Sequence, residues 1–114
     1  MNECIFCKII KGEIPAKKVY EDKEIIVIDD VNPQAPIHLL IIPKRHIPTS
    51  MELENGDKDM IGSVFLIANR VAEERGIADP GFRVVMNCNE GAGQSVFHIH
   101  FHLLGGRNMK WPPG

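Results

Sequence analysis

Three of the chain's five histidines stand at alternate positions, His98, His100 and His102, directly after an Asn- and Gly-rich stretch from Asn87 to Ser95. At neutral pH an imidazole can attack as a nucleophile, shuttle a proton or, once charged, donate hydrogen bonds, and neighbouring rings diverge in role when their surroundings differ. Phosphoryl chemistry needs such a set. One neutral ring attacks phosphorus, a second binds the nonbridging oxygens, and backbone N–H groups near Gly93 and Ser95 add anion stabilisation. A metal site is the rival reading. On an extended strand the outer two of these residues lie roughly 13 Å apart, whereas zinc takes its nitrogens at about 2 Å, so one ion held by all three is disfavoured. Packed or solvent-facing histidines without a role are the third reading, and the crowding of three onto one strand face speaks against it.

Cys4 and Cys7 form a second chemical group with the spacing of a zinc-ligand pair. Two further ligands are needed for a closed site. The alternative is two half-buried thiols on a first helix.

The elements that position these residues follow from hydrophobic period and breakers. Asn2 is the expected cap of a short helix through Ile5, Phe6, Ile9 and Ile10 that stops before Gly12. Val19-Tyr20, Ile25 to Ile28 and Ile37 to Ile42 read as strands, with a turn over Asp30-Val31-Asn32-Pro33. From Asp57 to about Arg75 apolar residues recur at three- and four-residue steps and Gly76 follows, which predicts one long amphipathic helix. Phe82 to Met86 is a further strand, and Asn87 to Ser95 an exposed loop. Val96 to Leu104 alternates with period two, which predicts a strand with His98, His100 and His102 on one face and Phe97, Ile99, Phe101 and Leu103 on the other. The sum is an α+β fold: a mainly antiparallel sheet of about five strands with one long helix and a short N-terminal helix.

At 114 residues the chain has the size of one domain, residues 1–114, with no repeat or linker. Thirteen Lys+Arg against 15 Asp+Glu leave no basic field for a long polyanion, so nucleic acid is not an expected partner. Apolar runs such as Leu39 to Ile42 are too short to cross a bilayer, so no membrane role is expected either. No secretory signal is recognisable, and an odd count of three cysteines argues against a disulfide framework; both point to a reducing, cytoplasmic setting.

His98-Ile99-His100-Phe101-His102-Leu103-Leu104 resembles the His-x-His-x-His-x-x signature of the histidine triad nucleotide-binding proteins. Cys4 to Ile10, Ile14-Pro15-Ala16, Asp30 through His38, Ile42 to His46, Gly93 to Phe97 and Trp111-Pro112-Pro113-Gly114 resemble the Hint branch of that family, over nearly the whole chain. The resemblance implies a HIT-like fold and a hydrolase that cleaves P–N bonds of purine nucleoside 5'-phosphoramidates, and acyl-adenylates, through a nucleotidylated histidine, releasing AMP or GMP. By matching position, His100 would be the nucleophile, its other nitrogen oriented by a carbonyl of the His98 region. His102 would bind the α-phosphate, Ser95 the leaving group, and His38 would assist proton handling. Gly93 and Asn87 would line the phosphate site, Asp30 would hold the ribose hydroxyls, and Ile5, Phe6, Ile9, Ile28, Val31 and Leu40 would sandwich the base. Each has a plainer role: Ile28 and Leu40 as core, Asp30 and Asn87 as turn formers, Ser95 as a loop cap.

The resemblance also implies that His46 and His98 would complete a closed structural zinc site with Cys4 and Cys7, catalysis itself needing no cofactor. A homodimer with a continuous sheet is expected as well. Two alternatives stay open: a dinucleoside polyphosphate hydrolase, ranked lower because Gln94-Ser95 and the Trp-Pro-Pro-Gly end resemble the phosphoramidase branch, and a nucleotide-binding interaction module with vestigial activity.

Overall fold

The computed structural model describes residues 3–114. Its elements are helix α1 (Ile5–Ile10), strands β1 (Lys18–Glu21), β2 (Ile25–Asp29) and β3 (Ile37–Pro43), helix α2 (Lys58–Glu74), and strands β4 (Phe82–Val85) and β5 (Phe101–Gly105). The strands form an antiparallel sheet in the order β1-β2-β3-β5-β4. The expected α+β architecture is therefore present.

Period-two alternation divides the sheet into two unlike faces. Ile25, Val27, Leu39, Ile41, Phe101 and Leu103 pack against Val64, Ile67, Ala68, Val71 and Ala72 of α2. The stripe on α2 follows the helical period, and Gly76, at φ +75°, ends the helix in the left-handed conformation while the Ile77 N–H bonds back to the Ala72 carbonyl at 2.9 Å. On the opposite face Ile26, Ile28, Leu40 and Ile42 pack with Phe6 and Ile9 of α1. Strand register lines up Ile28, Leu40, His102 and Val85 as successive cross-strand partners, so one row of the second face sets a histidine among aliphatic side chains.

The cap of α1 is Cys4, whose sulfur accepts the Cys7 N–H; Asn2, the expected cap, lies outside the described residues. The larger correction concerns the histidine segment. The expected strand over Val96 to Leu104 begins only at Phe101. Its ladder partner β3 pairs as far as Ile41 with Phe101 and then reaches Pro43, which has no N–H to give. Upstream of Phe101 the chain is held by other bonds: the Ile99 N–H to the Ile47 carbonyl at 2.8 Å, and the Gln94 amide to the carbonyls of Pro48 and Val96. Only His102 of the three is a strand residue, and the rings of His98 and His102 belong to different clusters.

Candidate active site

His102 projects from β5 opposite Leu40, and His38 from β3 opposite Leu104, so adjacent strands bring the two rings together. His38 Nε2 lies 2.9 Å from His102 Nδ1 and 3.3 Å from Asp30 Oδ2. Proton positions follow from the surrounding donors. The Gln34 N–H donates to His38 Nδ1 at 2.9 Å, so in the neutral ring that nitrogen carries the lone pair and Nε2 carries the hydrogen. His38 Nε2–H then donates to His102 Nδ1, which leaves His102 with its own hydrogen on Nε2, a donor suited to a phosphoryl oxygen. Burial pushes the His102 pKa down to about 4, helped by the neighbouring imidazoles of His100 and His38 and opposed by Asp30. Burial lowers His38 too, against the pull of Asp30. Both rings are neutral at pH 7, as this proton arrangement requires.

His100 is half-buried, and its Nδ1–H donates to the carbonyl of His98 at 2.8 Å. A carbonyl can only accept, so the hydrogen is fixed on Nδ1 and the lone pair on Nε2. This is the state an attacking imidazole needs. The His100 ring also meets Phe6 edge-on at 5.0 Å and His102 at 5.1 Å between centroids.

His98 differs from its two neighbours in being fully buried. Its Nε2–H donates to the Pro43 carbonyl at 2.7 Å, and its Nδ1 faces Cys4 Sγ at 3.4 Å, Cys7 Sγ at 3.6 Å and His46 Nδ1 at 3.1 Å. Cys7 Sγ lies 3.4 Å from His46 Nδ1. A tetrahedral zinc with bonds of about 2.0–2.3 Å separates its donor atoms by about 3.3–3.8 Å. The four donors are thus arranged near the edges of such a tetrahedron, and the chemistry of two thiols with two imidazole lone pairs suits the ion. Burial raises the Cys4 thiol pKa, a bias that a bound cation would reverse. None of the described cysteines is in a disulfide.

Asp30, His38 and His102 also converge closely enough to suggest a metal, but His38 Nε2 holds a hydrogen there. Turning that nitrogen into a ligand would put a hydrogen on Nδ1 against the Gln34 N–H. The two clusters therefore differ in kind.

The remaining predicted residues take varied positions. Phe6, Ile9, Ile28 and Leu40 meet in one apolar cluster, as both the base-slot and the core readings require. Ile5 is half-exposed and Val31 fully exposed, outside that cluster. Asp30 Oδ1 accepts the Asn32 N–H at 2.8 Å, the turn-forming role, while Oδ2 faces His38. Asn87 lines a cavity of about 260 Å³ together with His38 and His102. Gly93 has φ +92°, a conformation open to glycine at little cost, and Ser95 is exposed. Sequence reasoning missed the structural weight of Gln94, which is buried and joins the Asn89 N–H to the Pro48 and Val96 carbonyls. Its polar type in a polar loop gave no signal.

Residues 11–109 match the model of the HIT domain. The chain belongs to the HIT domain family. It is 48% identical over 113 residues to an uncharacterized HIT-like protein of Synechocystis sp., covering 99% of this chain and 98% of the relative. Among solved HIT structures, it is similar to a HIT family hydrolase of Legionella pneumophila at a TM-score of 0.96 and 51% identity, covering 98% of this chain and 100% of that one. A histidine triad protein of Clostridium difficile is similar at a TM-score of 0.92 and 40% identity over 96% of both chains. The HIT fold is thus shared along nearly its full length. No helix among the described residues is long and apolar enough to cross a membrane.

Proposed function

We propose that this protein hydrolyses purine nucleoside 5'-phosphoramidates and acyl-adenylates through a nucleotidylated His100, releasing AMP or GMP. The observation that carries the reading is the His100 Nδ1–H bond to the His98 carbonyl, which leaves Nε2 with its lone pair. Nε2 bonds to phosphorus as the P–N bond to the amine, or the P–O bond to the acyl group, breaks; the leaving group departs with the bonding pair, an amine taking up a proton and an acyl group leaving as its carboxylate. Water then attacks phosphorus and breaks the P–Nε2 bond, returning His100 to its starting state. In this scheme His102 Nε2–H holds a phosphoryl oxygen, the Gln34–His38–His102 chain of hydrogen bonds keeps that hydrogen in place, and Ser95 bonds the leaving nitrogen. Asp30 holds the ribose, and the base lies against Phe6, Ile9, Ile28 and Leu40. Similarity to a protein described as a HIT family hydrolase supports the hydrolytic outcome.

Zinc is the proposed occupant of the Cys4, Cys7, His46 and His98 cluster. A closed four-ligand site of this kind ties chain segments together. A homodimer is proposed through the sheet edge, where β4 is half-buried along its length and α2 exposes Phe65 and Leu66.

The test is a fluorogenic adenosine phosphoramidate offered to the wild type and to His100→Ala, with mass spectrometry of the quenched wild-type reaction. An adenylated His100 and a dead variant are expected; equal rates would sink the mechanism. Tight AMP binding with turnover no faster than buffer would favour a binding module instead, and preferential cleavage of diadenosine polyphosphates would move the substrate to a phosphoanhydride.

A further inference from the structure

We propose that the metal cluster and the nucleotide site are energetically linked through His98 and Phe6, so that each ligand raises the affinity for the other. The inference rests on the occupants proposed above for the two sites. His98 takes part in both: its ring nitrogen is one of the four donors, and its backbone carbonyl fixes the hydrogen on the proposed nucleophile. Its remaining ring hydrogen is anchored at the end of β3, on Pro43, so the ring that faces the donors is held both by β3 and by the backbone that carries that carbonyl.

Phe6 supplies the second route. It sits on α1 between Cys4 and Cys7, and its ring meets His98 at 5.8 Å and His100 at 5.0 Å, both edge-on. The same side chain belongs to the apolar cluster with Ile9, Ile28 and Leu40 that is assigned to the base. A metal that draws one donor from the cap of α1, one from the helix itself, one from His46 after β3 and one from His98 therefore fixes, together, the helix bearing the base slot and the segment bearing His100. These are the two pieces of chain a nucleotide must bridge, and they are separated by some 90 residues of sequence, with Cys4 and His98 94 positions apart. A nucleotide that orders the same two pieces favours the same arrangement of donors. The linkage is reciprocal by necessity: whatever factor zinc contributes to AMP affinity, AMP contributes to zinc affinity.

Two measurements test it. Calorimetric titration of AMP into the zinc-loaded and the metal-free chain is expected to show about fivefold or tighter binding when loaded, within the usual range of coupling between sites. The cobalt(II)-substituted protein, in which the cluster is filled and the fold intact, is expected to shift its visible bands when AMP is added. Phe6→Leu keeps all four donors, and its ratio of loaded to metal-free AMP affinity is expected to fall below that of the wild type. AMP binding that is equally tight with and without zinc, or cobalt bands blind to AMP, would overturn the linkage while leaving both sites standing. A chain that binds no AMP in any form would remove the nucleotide reading itself and this inference with it. A cluster that retains neither zinc nor cobalt after dialysis would overturn the inference alone, with phosphoramidase activity still measurable.

Discussion

The molecule holds two histidine clusters a few residues apart in sequence, and they show opposite chemistry from the same side chain. In the first, His98 spends its only ring hydrogen on the Pro43 carbonyl, so its other nitrogen turns a lone pair toward two thiols and His46. In the second, a backbone N–H from Gln34 occupies the lone pair of His38, so its hydrogen points inward and is handed to His102. A backbone acceptor thus turns a ring lone pair toward the cysteines, and a backbone donor sets up a hydrogen-bond relay. His100 lies between them with its hydrogen on a backbone acceptor, like His98, but with its lone pair outside the cysteine cluster.

That contrast is most severely tested at His100, which belongs to neither cluster. His100→Ala should lower turnover by at least about 10³-fold, as expected when a nucleophile is removed, with metal content and melting temperature close to wild type. Loss of metal on this substitution would mean that the two chemistries are not separable.

His98→Ala attacks the first cluster. The ring is fully buried with a partner on each nitrogen, and its loss should cost about 3 kcal/mol in urea denaturation, with the variant retaining little zinc by elemental analysis. Full zinc occupancy would show that the cluster does not need this ligand.

Breaking the second cluster should leave the first alone. His38→Ala should reduce kcat by about 10²-fold, the scale of one positioned proton-handling group, at unchanged metal stoichiometry. A variant with wild-type kcat would reduce the relay to packing.

The smallest effect lies in pH dependence. His102 is a base whose pKa falls from 6.5 to about 4 in the folded protein, so below pH 6.5 the unfolded chain binds more protons than the native one. Its contribution to stability is complete above pH 6.5 and is lost as pH drops toward about 4. Because the ring is only partly buried, about 1–2 kcal/mol is expected between pH 7 and pH 4.5 after allowance for solvent screening. Urea midpoints of wild type and His102→Asn at the two pH values measure it; equal acid losses would contradict the buried neutral ring.

Much of this is legible in the amino-acid sequence. The helical stripe of α2, the alternation that divides Ile25 and Val27 from Ile26 and Ile28, and the breakers Gly12, Pro15 and Gly76 are local signals, because period and backbone freedom are properties of short stretches of chain. The alternation of His98, His100 and His102 was equally visible but misleading about form. It suggested one strand face, whereas the ladder ends at the Ile41–Phe101 pair and the three rings enter three different surroundings. Nothing local to residues 96–100 announces where a partner strand ends.

What the sequence determined by itself is the inventory: which side chains could act on phosphorus or hold zinc, and the elements that carry them. Tertiary structure decided where each hydrogen sits. The Pro43 carbonyl, the Gln34 N–H and the His98 carbonyl are backbone groups with no residue-type signature, the first two brought to their rings by folding, and the side of an imidazole they occupy sets whether it offers a proton or a lone pair.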